Sequence, residues 1–243
     1  MNSKIFSHII EKLHETWHLP RYATIRAELS ADTVLDQLPW TPARREKFCQ
    51  QLANTFGVDI ELEGTVADLV RRTDDRYLLW FFGEVWRPRT DVYQWTGWRI
   101  AEEINKMNPR NVLDVGCGYN PFKERIPNLT GIDPYNNCAD YQVDILEYNV
   151  EPGMHDHIIA LGSINFNSRE DIELRFAKVV ELLAPGGHLW MRCNPGIEHK
   201  KGPWVDIFPW SFEVAHELAK KYGLKLETLK KDQNRLFFLF IKQ

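Results

Sequence analysis

At 243 residues the chain has room for one large domain, or for a medium domain and a small one. Apolar residues at 44% and charged residues at 26% fit a chain that buries a core, and argue against a disordered tract or a long coiled coil. Thirty Lys and Arg against 34 Asp and Glu leave a formal charge of −4, with no general attraction for polyanions, so nucleic acid is not indicated as a partner. The four cysteines, Cys49, Cys117, Cys138 and Cys193, form no Cys-x-x-Cys pair, so neither a zinc cluster nor a disulfide framework is expected and no metal site is assigned. No apolar run approaches the roughly 20 residues of a membrane span. Residues 1–13 carry charges every few positions and lack a signal-peptide core, which predicts a soluble, cytoplasmic chain.

The first 72 residues read as a small helical domain. Ile5, Phe6, Ile9, Ile10 and Leu13 recur at helical spacing and predict an amphipathic helix that Pro20 cannot extend. Thr41 before Pro42 is a helix start; the helix runs through Phe48, Leu52 and Phe56 to a cap at Gly57. A short third piece over 65–72 offers Val66, Leu69 and Val70. Four charges within residues 71–75 mark a boundary, and residues 73–110 read as linker and lid helices holding four of the nine tryptophans, Trp80, Trp86, Trp95 and Trp98.

From residue 111 the pattern changes to strand, turn and helix. Residues 111–115, 129–132, 157–161 and 187–192 are short apolar runs suited to strands covered on both faces. Ser168 with Asp171 opens a helix that Pro185-Gly186-Gly187 closes, and 210–222 is another helix. Residues 224–229 and 236–241 are joined by a link too short for a crossover helix, so they pair antiparallel. The fold class is therefore α/β: a Rossmann-like, mostly parallel sheet with a reversed last strand over 111–243, preceded by the small all-helical domain.

The first of these strands ends in Asp114 and turns through Gly116, Cys117 and Gly118 to Asn120 and Pro121, the latter a good first helical residue. Glycines there let backbone pass close to a ligand. Asp133, after the second strand, points to the same crevice at the carboxyl ends of the strands, where an acid can accept hydrogen bonds from ribose hydroxyls. Asp144 follows residues 141–143, read as a short third strand, and is placed to accept an exocyclic amine. These residues, with Thr130-Gly131-Ile132-Asp133 and Leu182-Leu183-Ala184-Pro185-Gly186-Gly187, resemble the class I S-adenosylmethionine-dependent methyltransferases over about residues 93–243. The dinucleotide-binding fingerprint is the competitor; it calls for a third glycine that this loop lacks.

The resemblance implies S-adenosylmethionine as cofactor, held by Asp114, Gly116, Cys117, Gly118, Asn120, Asp133, Asp144 and Gly162, with Tyr93 or Trp98 covering it. It implies methyl transfer by alignment of the reacting atoms onto an unidentified acceptor, a small-molecule or sugar hydroxyl or amine. No catalytic residue is assigned. Ser163 and Asn165 after the fourth conserved-fold strand and His199 in the long loop 194–209 are candidates, each with a plainer reading as loop cap or solvated lid. The front end weakly resembles an acyl carrier protein, but Thr41-Pro42-Ala43 stands where carriers hold the serine that takes phosphopantetheine, so residues 1–72 are expected to be an interaction surface for a protein partner. Two alternatives stay open: a cofactor-binding subunit without catalysis, recruited through the helical domain, and an RNA or DNA methyltransferase.

Overall fold

Helix α1 (Ser3–Thr16) starts where the Asn2 side chain accepts hydrogen bonds from the Lys4 and Ile5 backbone N–H groups, and it buries Ile5, Ile9 and Leu13. The computed structural model describes residues 1–87 and 97–243 and divides into two compact units, Met1–Val85 with His199–Asp206, and Trp86–Glu198 with Ile207–Gln243. In the first unit a 3₁₀ turn (Pro20–Tyr22) and the short α2 (Ala23–Glu28) lead to α3 (Pro42–Phe56), capped by Thr41 and stopped by Gly57 at φ +71°. Phe48, Leu52 and Phe56 of α3 meet the inner face of α1 and Val66, Leu69 and Val70 of the next helix.

That helix, α4 (Val66–Trp80), opens with a Thr65/Asp68 capping box and runs 15 residues, so the expected boundary at 71–75 lies inside it. The buried stripe simply continues through Thr73, Asp74, Tyr77 and Leu78 while Arg71 and Asp75 face out. Asp74 is buried because Asn2 Nδ2 donates to its Oδ1 at 2.8 Å. Further partners for these residues come from far along the chain. Trp204 packs its ring at 5.1 Å from His8 and 4.9 Å from Phe56, Asn2 Nδ2 also donates to the Trp204 carbonyl at 2.8 Å, and Asp206 accepts from the Ser3 backbone N–H and hydroxyl.

The second unit is a six-stranded sheet in the order β2-β1-β3-β4-β6-β5. Its strands are β1 (Val112–Val115), β2 (Leu129–Ile132), β3 (His155–Leu161), β4 (Leu183–Cys193), β5 (Leu224–Asp232) and β6 (Arg235–Lys242). The first four are parallel, and β6 runs antiparallel to both β4 and β5. Period-two alternation feeds two cores: Leu113, Val115, Ile158 and Met191 face α6 (Arg169–Leu182) and α7 (Phe212–Lys221), while Val112, Ile159 and Trp190 face α5 (Gly97–Lys106). The predicted Ser168/Asp171 capping box is present.

Three local expectations change. No helix follows Pro121; residues 119–128 run as turns, because Phe122 is drawn into the α5 core and Pro127 leaves too short a stretch. The expected strand over 141–143 is reduced to one bridge between Ile132 and Tyr141. There the Asp140 carboxylate accepts from the Gly131 N–H at 2.8 Å and holds Lys123 at 2.8 Å, so a side chain takes the place of a ladder partner. Pro185-Gly186-Gly187 does not separate helix from strand: β4 begins at Leu183, opposite His155, bulges, and resumes pairing at His188 opposite His157. No helix among the described residues is long and apolar enough to cross a membrane.

Candidate functional site

The carboxyl ends of β1, β2 and β3 converge on the loop that leaves Val115. Gly116 and Gly118 adopt φ of +67° and +56°, conformations that favour glycine, and Asn120 follows at +53°. The loop is bound to the neighbouring strand end: Gly116 and Cys117 donate backbone N–H groups to the Ile132 carbonyl at 2.8 and 3.0 Å, and Gly118 N–H donates to Asp133 Oδ2 at 2.9 Å. Asp133 Oδ1 accepts from Tyr135 N–H at 2.8 Å, so this one carboxylate joins the two loops and is 8% exposed.

Close packing, more than open space, explains the glycines. A Cβ on Gly116 would lie 2.3 Å from Ser163 Cβ, one on Gly118 would meet the Trp86 ring at 3.3 Å, and one on Gly131 would strike the Asn120 amide at 2.6 Å. Beside the close approach of backbone to a ligand expected from the sequence, each glycine also admits a side chain of the protein itself.

Asp114 is buried beneath this loop, and burial together with the nearby Asp133 pushes its carboxyl up to about 8. Burial also raises Asp133, against the backbone hydrogen bonds that hold it down. Neither acid forms an ion pair with a lysine, arginine or histidine among the described residues: Asp133 is held by backbone N–H groups, and Asp114, raised to about 8, keeps its proton near neutrality. Cys117 is buried, and desolvation pushes its thiol up, which leaves it a packing residue.

A cavity of about 50 Å³ opens beside the loop, lined among others by Val115, Gly116, Val143, Asp144, Ser163 and Arg175. The Ser163 hydroxyl is buried there without a hydrogen-bond partner. Asp144 is held on both sides, accepting from Leu146 N–H at 3.0 Å and pairing with Arg175 at 3.2 Å. Gly162, at φ +105°, turns the chain from β3 towards Ser163. Asn165 instead serves the framework: its Oδ1 accepts from Asn194 N–H at 2.8 Å, and its carbonyl accepts from Phe208 N–H at 2.8 Å.

The structure thus gathers Asp114, Gly116, Cys117, Gly118, Asp133, Asp144, Gly162 and Ser163 at one set of strand ends. Trp98 packs edge-on against Phe122 at 5.4 Å under the Arg125 guanidinium at 3.7 Å. His199 belongs to the helical unit, edge-on to Phe81 at 4.9 Å. Tyr93 lies outside the described residues. Sequence reasoning missed Trp86 over Gly118 and Arg175 beside Asp144; Trp86 stood out only as one of four clustered tryptophans, and Arg175 is a charged helix residue with no signal of its own.

Part of the chain superposes on solved structures. A protein from Pyrococcus horikoshii OT3 matches with a TM-score of 0.53 at 15% identity over 68% of this chain and 96% of its own. A SAM-dependent methyltransferase from Leishmania major matches with a TM-score of 0.51 at 13% identity, over 68% and 81%. The N-methyltransferase NodS from Bradyrhizobium japonicum WM9, in complex with S-adenosyl-L-homocysteine, matches with a TM-score of 0.50 at 16% identity, over 80% and 97%. The fold is that of the class I methyltransferases. No protein-family model and no curated protein matches the chain. On the methyltransferase fold, the crevice at the ends of β1, β2 and β3 is the place where an open α/β sheet takes its ligand.

Proposed function

We propose that this chain binds S-adenosylmethionine in the crevice at the ends of β1, β2 and β3 and transfers its methyl group to a small-molecule hydroxyl or amine. The observation that carries the reading is Asp133, whose buried carboxylate ties the glycine loop to the end of β2 beside Asp114 and keeps acceptor capacity towards the crevice. A cation brought to this crevice would favour the ionised form of Asp114, and a sulfonium is a cation. The unpartnered Ser163 hydroxyl and the acceptor capacity that remains on Asp133 suit a nucleoside. The Leishmania and Bradyrhizobium proteins of like fold, a SAM-dependent methyltransferase and a complex with S-adenosyl-L-homocysteine, support the same reading.

When bound, S-adenosylmethionine supplies an electrophilic methyl on a sulfonium sulfur. The chain's own task is then to align and desolvate. Asp133 would accept from ribose hydroxyls while keeping Gly118 in place, and Val115, Val143 and the Asp144–Arg175 pair would enclose the base. Gly116, Cys117, Gly118, Asn120 and Gly162 would shape the loop. Asn165, committed to Asn194, holds the end of β4 and is not offered as a base.

Calorimetry tests binding directly. Wild-type protein should bind S-adenosylmethionine and S-adenosylhomocysteine saturably, and Asp133→Asn should weaken both by about tenfold or more, roughly 1.4 kcal/mol. No binding to the folded wild type rules the reading out. Transfer of labelled methyl to a cell extract, sorted into small molecules, nucleic acid and protein, then separates an active enzyme from a subunit that binds cofactor without transfer.

A further inference from the structure

The helical unit carries a groove unrelated to the crevice. It has a volume of about 450 Å³, within the range of small-molecule sites, and lies between the end of α1 and the first turns of α3. Ala43 and the edge of Phe48, a ring otherwise buried in the helical core, form its apolar part, and Arg44, Lys47, His18 and Glu15 its polar walls. Arg44 and Lys47 are three residues apart on α3, so they share a face, and Phe48 follows Arg44 by four on the same side.

The charges in this groove are not balanced. Glu15, its one acid, already receives both of its hydrogen bonds from Lys12, at 2.9 and 2.8 Å. Arg45, beside the groove, is occupied by Asp36 and the Leu62 carbonyl. Arg44 and Lys47 meet no carboxylate among the described residues; Arg44 is held by the Tyr22 hydroxyl at 3.4 Å and lies over its ring at 5.3 Å. Arg44 is also the third residue of a helix with no acid in its first turn, where the positive end of the helix dipole repels a cation. Local stability is therefore reduced just where a cavity and two uncompensated cations coincide, a combination that a bound anion would relieve.

We propose that this groove binds a small organic dianion, a phosphate monoester or a dicarboxylate with an apolar body, its charge on Arg44 and Lys47 and its body against Phe48 and Ala43. The test uses the full chain with phenyl phosphate, phthalate, inorganic phosphate and benzyl alcohol, followed by calorimetry and by amide shifts of residues 43–51. Phenyl phosphate or phthalate should bind saturably, with inorganic phosphate and benzyl alcohol each at least tenfold weaker, and the double variant Arg44→Gln, Lys47→Gln should lose at least tenfold. Whichever of the two aromatic dianions binds more tightly assigns the head group. Arg44→Gln without ligand should raise the melting temperature by one or two degrees, a readout independent of any ligand. Equal binding of inorganic phosphate or benzyl alcohol, affinity unchanged in the double variant, or no saturable binding of either aromatic dianion overturns the proposal.

Discussion

The two units handle buried acid in opposite ways, and the contrast shows how each is built. In the helical unit Asp74 is buried with a dedicated partner, Asn2, whose amide also ties down Trp204; the acid is part of a structural knot. In the sheet unit Asp114 is buried beside another acid with no counter-charge, an arrangement that costs stability and makes sense where a ligand completes it. Asp133 is itself tied by the Gly118 and Tyr135 N–H groups, so the acid that contrasts with Asp74 is Asp114.

The largest effect should come from the loop on which the site depends. Gly116→Ala places a Cβ in contact with Ser163 at a positive φ, and should cost about 3 kcal/mol by urea denaturation, from overpacking plus backbone strain. Adding Ser163→Gly should recover only the packing part, and full recovery would mean that φ carries no strain. Next in size is Trp204→Ala, which removes the ring between His8 and Phe56 and should cost about 2–3 kcal/mol, with faster amide exchange concentrated in α1 and α3. If exchange rises equally in the sheet, Trp204 is not specific to the helical unit.

Asn2→Ala separates the two kinds of acid most sharply. It removes the α1 cap and the partner of Asp74, at about 1–2 kcal/mol. Burial raises Asp74 to about 6 in the folded chain, so the folded state holds a proton that the unfolded one releases, and stability declines as pH rises from about 4 through 6. The variant should accordingly be hurt more at pH 8 than at pH 5. Asp114 follows the same sign over a wider window, since its folded value is about 8: wild-type stability should fall as pH rises from about 4 to 8, and Asp114→Asn should flatten that slope in thermal melts. A cationic ligand should bind more tightly as pH rises through 8, with release of a proton. The smallest effect belongs to Ser163→Ala, within about 1 kcal/mol of wild type without ligand, because its hydroxyl has no partner to lose.

Much of the sheet unit was legible in the sequence. β2 falls on 129–132 as expected, the Ser168/Asp171 capping box is in place, and the reversed β6 follows from the short link before it, because each of these rests on periodicity or capping between near neighbours. The loop was legible as a close approach of backbone: glycine spacing announces that approach, but not that Ser163 and Trp86 also come within it. Likewise a short strand was expected over 141–143, whereas one bridge at Tyr141 forms there and Asp140 accepts from the Gly131 N–H at the β2 edge.

The sequence by itself determined what local chemistry can determine: which segments are buried strands, where helices start, and that acids follow two strand ends. Only the tertiary structure decided that the charged run at 71–75 continues a helix, that residues 199–206 join the helical unit two hundred positions from Asn2, and that Asp144 shares its carboxylate with Arg175. Those outcomes depend on whether a polar group finds a partner when buried. A partner distant in sequence leaves no periodic trace, although it sets whether a buried charge is a structural tie or a vacancy for ligand.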